Sequence, residues 1–183
     1  PHHENEIAQS EAFTGQVPFV RHWMHNAMMQ LGEEKMSKSL GNIISLRDGL
    51  QRYGPDAIRL FILSSQYRSP LTYSEDALIA SSRGSERLRS AAALINGEEN
   101  GQLDCQEYRE RFIQAMDDDL GTAQAVAILF DLAREVNRER SRGEPAGAGV
   151  TLLRELGDVL GLTFHVDDRL STTEPLVELL INV

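Results

Sequence analysis

Lys35 and Lys38 are the only lysines in a chain of 183 residues whose other sixteen basic residues are arginines. They fall in the string Lys35-Met36-Ser37-Lys38-Ser39-Leu40-Gly41-Asn42. This segment offers two ammonium groups and two hydroxyls next to a glycine and little apolar bulk. Such a segment can wrap a polyphosphate. The lysines would neutralise charge that builds on a bridging oxygen and a leaving pyrophosphate, while hydroxyls and backbone N–H groups hold the remaining oxygens. An exposed basic turn with no partner would have the same composition.

The elements around that segment divide the chain into two textures. Residues 3–12 are good helix formers and predict a short helix, broken at Thr14-Gly15-Gln16. A strand is expected over about Ala27 to Leu31, with Gly32-Glu33-Glu34 as a turn into Lys35. Ser45 reads as the N-cap of a helix through Tyr53, closed by Gly54. Pro55 sits in the first turn of the next helix, Asp56 to about Ser65, with Ile58, Phe61, Ile62 and Ser65 on one face. Ser74 caps a helix with Glu75 and Asp76 in its first turn, running to about Ile95. Asp104 caps another, to about Met116, and Asp117-Asp118-Asp119 with Gly121 reads as the turn that ends it. Val126, Leu129, Phe130, Ala133 and Val136 recur at helical spacing within a helix from about Thr122 to Arg140. Residues 141–149 read as a loop, Val150 to Leu160 as a helix, and Pro175 to Val183 as the start of one more. The expected fold is mainly α: the end of an α/β nucleotide-binding, Rossmann-like domain followed by a helical bundle.

Composition removes several classes of function. Eighteen basic against 28 acidic residues give a net charge of -10, so any polyanion must be met by a local patch. No run approaches the ~18 apolar residues of a membrane span. The single cysteine, Cys105, excludes a disulfide framework or a multi-cysteine zinc site within the chain, and it fits a reducing compartment. The chain opens on Pro1-His2-His3 and stops at Ile181-Asn182-Val183 inside an apolar stretch, and both ends read as cut from a longer protein.

The lysine string matches the K-M-S-K-S signature of class I aminoacyl-tRNA synthetases, and its surroundings narrow the match. The run Pro1-His2-His3-Glu4-Asn5-Glu6-Ile7-Ala8-Gln9-Ser10-Glu11 resembles the zinc-proximal segment of cysteinyl-tRNA synthetases. Trp23-Met24-His25-Asn26 and Gly32-Glu33-Glu34-Lys35 resemble the approach to the signature loop. Tyr67-Arg68-Ser69-Pro70-Leu71, Tyr73-Ser74-Glu75 and Met116-Asp117-Asp118-Asp119-Leu120 resemble downstream segments of that family. The likeness is strong to about residue 140 and fades beyond.

The resemblance implies a cytoplasmic cysteine–tRNA ligase of protein biosynthesis, with L-cysteine, ATP and tRNA(Cys) as partners. Residues 1–44 would be the C-terminal piece of the nucleotide-binding domain, 45–73 a stem-contact-like helical region and 74–183 an incomplete helical bundle. The ATP loop would be Lys35, Met36, Ser37, Lys38 and Ser39, with Lys35 and Lys38 as the catalytic pair and Lys38 the chief contact. The family's zinc is held by two cysteines, a histidine and a glutamate, and the last two fall on His2 and Glu6. Their i, i+4 spacing puts both on one helical face. Zinc suits a thiolate substrate because it favours sulfur and holds the thiol deprotonated. The family places both cysteines, and the H-I-G-H signature, upstream of Pro1, so the isolated chain is expected to be inactive.

Two other readings stay open at the level of sequence. One is a cysteine:glucosaminyl-inositol ligase, which shares the adenylation half. The other is a non-catalytic helical module that binds RNA or protein. For nucleic acid, Arg83 and Arg87 on one helix and Arg134 and Arg138 on another repeat an i, i+4 spacing that could track a phosphate backbone. The same residues would equally form a solvated face paired with Glu86, Glu135 and Glu139.

Overall fold

The computed structural model describes residues 2–31, 45–94 and 103–164. Seven helices and two short strands follow in the order α1 (His2–Thr14), β1 (Met29–Leu31), α2 (Leu46–Tyr53), α3 (Pro55–Leu63), β2 (Leu71–Tyr73), α4 (Glu75–Ala92), α5 (Gln106–Asp117), α6 (Thr122–Ser141) and α7 (Gly147–Val159). The strands pair in parallel, Met29 with Leu71 and Leu31 with Tyr73. A parallel pair needs a crossover, which here includes α2 and α3. The expected end of an α/β unit followed by a helical bundle is what the chain forms.

The local signals that set these elements are visible one by one. Ser45 has extended backbone geometry, and its hydroxyl accepts the Asp48 N–H at 3.1 Å. Gly54, at φ 79°, closes α2, and Pro55 starts α3 with no break between them. Ser74 accepts the Ala77 N–H at 3.1 Å and starts α4. Gly15, at φ 68°, follows α1.

The core lies in the bundle. Leu88, Leu129, Leu132, Val136, Val150 and Leu153 are fully buried and pack with Ala91, Phe112, Ala125 and Leu156. Leu60 of α3 enters the same cluster, so the bundle and the crossover share apolar contacts. Where α6 and α7 approach, a Cβ built on Gly149 would stand 2.6 Å from Leu103 Cδ2 and 2.7 Å from Val136 Cγ2. Only glycine allows that spacing.

Several expected boundaries shift. The strand starts at Met29 rather than Ala27. The helix expected to run to Ile95 ends at Ala92, and α3 ends at Leu63. Helix α7 begins at Gly147, inside the stretch expected to be a loop. The buried face of α3 is Ala57, Leu60 and Phe61, whereas Ile62 is half exposed. That correction follows from the neighbours: α3 packs on α4 and α6, and Leu60 enters the core they share. The Asp104 carboxylate does accept the Gln106 N–H at 3.0 Å, although Cys105 occupies the cap position. Lys35 to Ser39 and Pro175 to Val183 lie outside the described residues.

Candidate active-site region

Three features bear on the candidate site. The first is the direction of β1. Lys35 lies four residues beyond Leu31, the carboxyl end of a strand in a parallel pair. In open α/β sheets ligands bind beyond the carboxyl ends of the strands.

The second is the face of α1. His2 Nε2 and Glu6 Oε1 stand 3.9 Å apart, both exposed, one turn from each other. An imidazole and a carboxylate are ordinary zinc donors, and this spacing suits one ion. They amount to half of a tetrahedral set, and no group of three or more metal-ligating side chains forms among the described residues. Beside them, the His3 ring lies 4.3 Å from the Trp23 ring and 4.3 Å from the His25 ring, centroid to centroid. Phe19 meets Trp23 edge-on at 5.7 Å. Partial burial, followed by the neighbouring His25 and His2, holds the His3 imidazole below its ordinary range. No local pattern encodes this contact, since His3 and His25 are 22 residues apart.

The third is the turn before β2, which joins the strands to the bundle. The Ala27 N–H donates to the Tyr67 carbonyl at 2.8 Å. The Tyr67 hydroxyl donates to Asp119 Oδ1 at 2.7 Å, and Arg68 Nε donates to Asp119 Oδ2 at 2.7 Å. Gln66 Nε2 reaches the Asp119 carbonyl at 3.1 Å. The Arg68 and Tyr67 hydrogen bonds hold the Asp119 carboxyl below the usual carboxylate range, and the same carboxylate pushes the Tyr67 phenol up. The acidic run is therefore a turn, as expected. Its third member is also a long-range anchor, which the sequence did not reveal. An apolar groove of about 460 Å³ opens beside this joint, lined by Met24, Met29, Leu63, Met116, Leu120 and Leu160 among others.

The arginines expected to meet nucleic acid divide. Arg134 pairs with Asp131, and Arg138 with Glu135. Arg142 pairs with Glu139 at 3.1 Å, and Arg140 donates to the Ala91 carbonyl at 3.1 Å near the end of α4. Arg87 covers the Phe130 ring at 5.4 Å, and Arg83 is exposed. Arg134, Arg138 and Arg142 are thus paired with acids one turn back on α6, Asp131 among them, and stay largely exposed. Burial pushes the Cys105 thiol up, so it is a poor nucleophile and a poor thiolate ligand.

Comparison with known proteins places these features in a family. Residues 1–83 match the tRNA synthetases class I (C) catalytic domain, and residues 111–165 match the DALR domain. The chain belongs to the class I tRNA synthetases. Within that class its curated relatives are cysteine–tRNA ligases. The Dehalococcoides mccartyi BAV1 protein is 50% identical over 187 residues, covering 100% of this chain and 41% of that protein. The Alkalilimnicola ehrlichii protein is 52% identical over 164 residues, covering 88% of this chain and 35% of that protein. The chain thus spans about two fifths of the length of the relatives that match it along its whole length. The fold is similar to a crystal structure of the Agrobacterium radiobacter K84 agnB2 LeuRS–tRNA–LeuAMS ternary complex, with a TM-score of 0.53 at 20% identity. That match covers 79% of this chain and 21% of the solved one.

Proposed function

We propose that the chain is part of a cysteine–tRNA ligase, which activates L-cysteine with ATP to an adenylate and transfers it to the 3′ end of tRNA(Cys). The observation that carries this reading is identity of about half over the whole chain to proteins of that name, in a stretch that includes Lys35 to Ser39. Residues 1–44 are assigned to the end of the nucleotide-binding domain, 45–73 to a stem-contact-like region and 74–183 to the bundle. Lys38, with Lys35, holds the phosphates of ATP and neutralises charge as pyrophosphate leaves. Ser37, Ser39 and the backbone N–H groups from Met36 onward fill the remaining phosphate oxygens.

His2 and Glu6 fit half of a zinc site, the other donors coming from outside this chain. Zinc bound there would favour a thiolate over a hydroxyl, which selects cysteine against serine. The isolated chain has two donors where structural sites use four. We expect it to lose zinc on dialysis, while the full-length ligase keeps one equivalent and His2→Ala or Glu6→Gln releases it, read by atomic absorption. One equivalent retained by the isolated chain would contradict this assignment.

The test of function is ATP–pyrophosphate exchange by the full-length ligase across all amino acids, followed by charging of tRNA. Cysteine-dependent exchange with charging of tRNA(Cys) is expected. Exchange driven by another amino acid, or transfer of cysteine to an amino-sugar with no charging of tRNA, would overturn the reading.

A further inference from the structure

Asp119 stands where the bundle touches the turn before β2, the strand that pairs with β1. It lies between α5 and α6, after the Asp118 cap, and it has φ 52°; Leu120, next to it, has φ 55°. Two adjacent non-glycine residues in the left-handed region are unfavourable, and they persist only where the surroundings fix them. The corner itself is tied by Leu120 N–H to the Met116 carbonyl at 3.2 Å and Gly121 N–H to the Ala115 carbonyl at 2.9 Å.

The Asp119 side chain points the other way, out of the bundle. Its carboxylate takes hydrogen bonds from Tyr67, from Arg68 through Nε at 2.7 Å and Nη2 at 3.2 Å, and from Gln66 at 3.3 Å. Residues 66–69 form a tight turn, with Ser69 N–H to the Gln66 carbonyl at 2.8 Å and Arg68 N–H to Gln66 Oε1 at 2.6 Å. From that turn the chain runs directly into β2, and the Tyr67 carbonyl holds Ala27 two residues before β1. An unbroken chain of polar contacts therefore runs from the α5–α6 corner through one carboxylate to both strands.

We propose that Asp119 is a positioning residue for cysteine activation: it sets the Tyr67–Arg68 turn and thereby fixes β1 relative to the helical bundle. This rests on the ligase reading above. Asp119 touches no reacting atom in this account and acts through Tyr67 and Arg68. Small misplacement of catalytic groups by remote changes costs up to about 100-fold in rate. A residue that only capped a turn would cost stability and leave the chemistry alone.

The experiment uses the full-length ligase with Asp119→Gly, which keeps the left-handed backbone accessible and removes the carboxylate. Adenylate formation is expected to fall about 10- to 100-fold in kcat, with the cysteine KM held within about 3-fold. Asp119→Asn, which tolerates the same backbone and still accepts from Tyr67, should recover part of the rate. Tyr67→Phe should slow the step in the same direction, and the double variant Asp119→Gly/Tyr67→Phe should be no slower than Asp119→Gly alone. Hydrogen exchange of the Ala27 amide should quicken in Asp119→Gly. A wild-type kcat, a loss confined to KM or explained by thermal unfolding, multiplicative effects of the two changes, or unchanged Ala27 protection would each overturn the proposal. Absence of cysteine-dependent exchange in the wild type would instead remove the ligase reading, and the Ala27 amide would still report whether Asp119 holds β1.

Discussion

Helices α1 and α6 show how differently two regions of this chain are held. Helix α1 buries none of its thirteen residues, and Phe13 is 91% exposed at its end. Helix α6 buries Ala125, Val126, Ile128, Leu129, Leu132, Ala133 and Val136 against α4, α5 and α7. The contrast continues beyond the helices. Val17, Met24, Met28 and Met29 are exposed in the N-terminal stretch, and the sheet there has two strands among the described residues. The chain spans about two fifths of its relatives' length. The bundle thus closes its own core, while the region that carries the candidate chemistry presents apolar surface that this chain's described residues leave open.

The strongest way to break that contrast is to empty the core. Leu132 is fully buried, so Leu132→Ala should destabilise the bundle by about 2–5 kcal/mol, read as a lower urea midpoint by circular dichroism. Met28→Ala, at a side chain 73% exposed, should change the stability by no more than about 0.5 kcal/mol. Equal losses at the two sites would end the comparison. Overfilling is milder. Gly149→Ala puts a methyl against Leu103 and the fully buried, β-branched Val136, so it should cost about 1–3 kcal/mol in the same assay.

The smallest effect is at the bundle surface and depends on pH. Arg109 donates to both Glu155 oxygens, at 2.5 and 2.6 Å, and so holds the Glu155 carboxyl below the ordinary range. A depressed carboxyl contributes stability above its unfolded pKa and loses it as pH falls through the folded value. Wild type should therefore exceed Glu155→Gln by a small margin near neutrality, and the margin should shrink as the medium is acidified below the ordinary carboxylate range. A margin that stays constant on acidification would show that the pair contributes through packing alone. The pair is exposed, so added salt should narrow the margin as well.

Most of the helices were legible because their signals are local. Ser45, Gly54, Pro55 and Ser74 each mark a helix end through a contact within a few residues. Helix α7 was expected too late because Gly147-Ala148-Gly149 reads as a loop, whereas the close approach to Val136 is what requires glycine there. Strand β2, three residues between Pro70 and Ser74, was absent from the expectation, since its partner β1 lies 42 positions away in register. The candidate site divides in the same way. His2 and Glu6 were picked out by the family resemblance, and their spacing of one helical turn is local enough to agree with it. The Asp119 contacts with Tyr67 and Arg68 cross more than fifty residues, and no periodicity encodes them.

The proposed division of labour gives the chemistry to the lysine segment and the fold to the bundle. Lys38→Ala in the full-length ligase tests it most directly. Pre-steady-state adenylate formation at saturating ATP and cysteine should slow about 100- to 1,000-fold, or about 2.7–4 kcal/mol, because the ammonium acts mainly on charge developed in the transition state. Cysteine affinity and the melting of the bundle should stay at their wild-type values, and Lys38→Arg should recover part of the rate. Adenylate formed at the wild-type rate, or a defect lying wholly in cysteine affinity, would contradict the account.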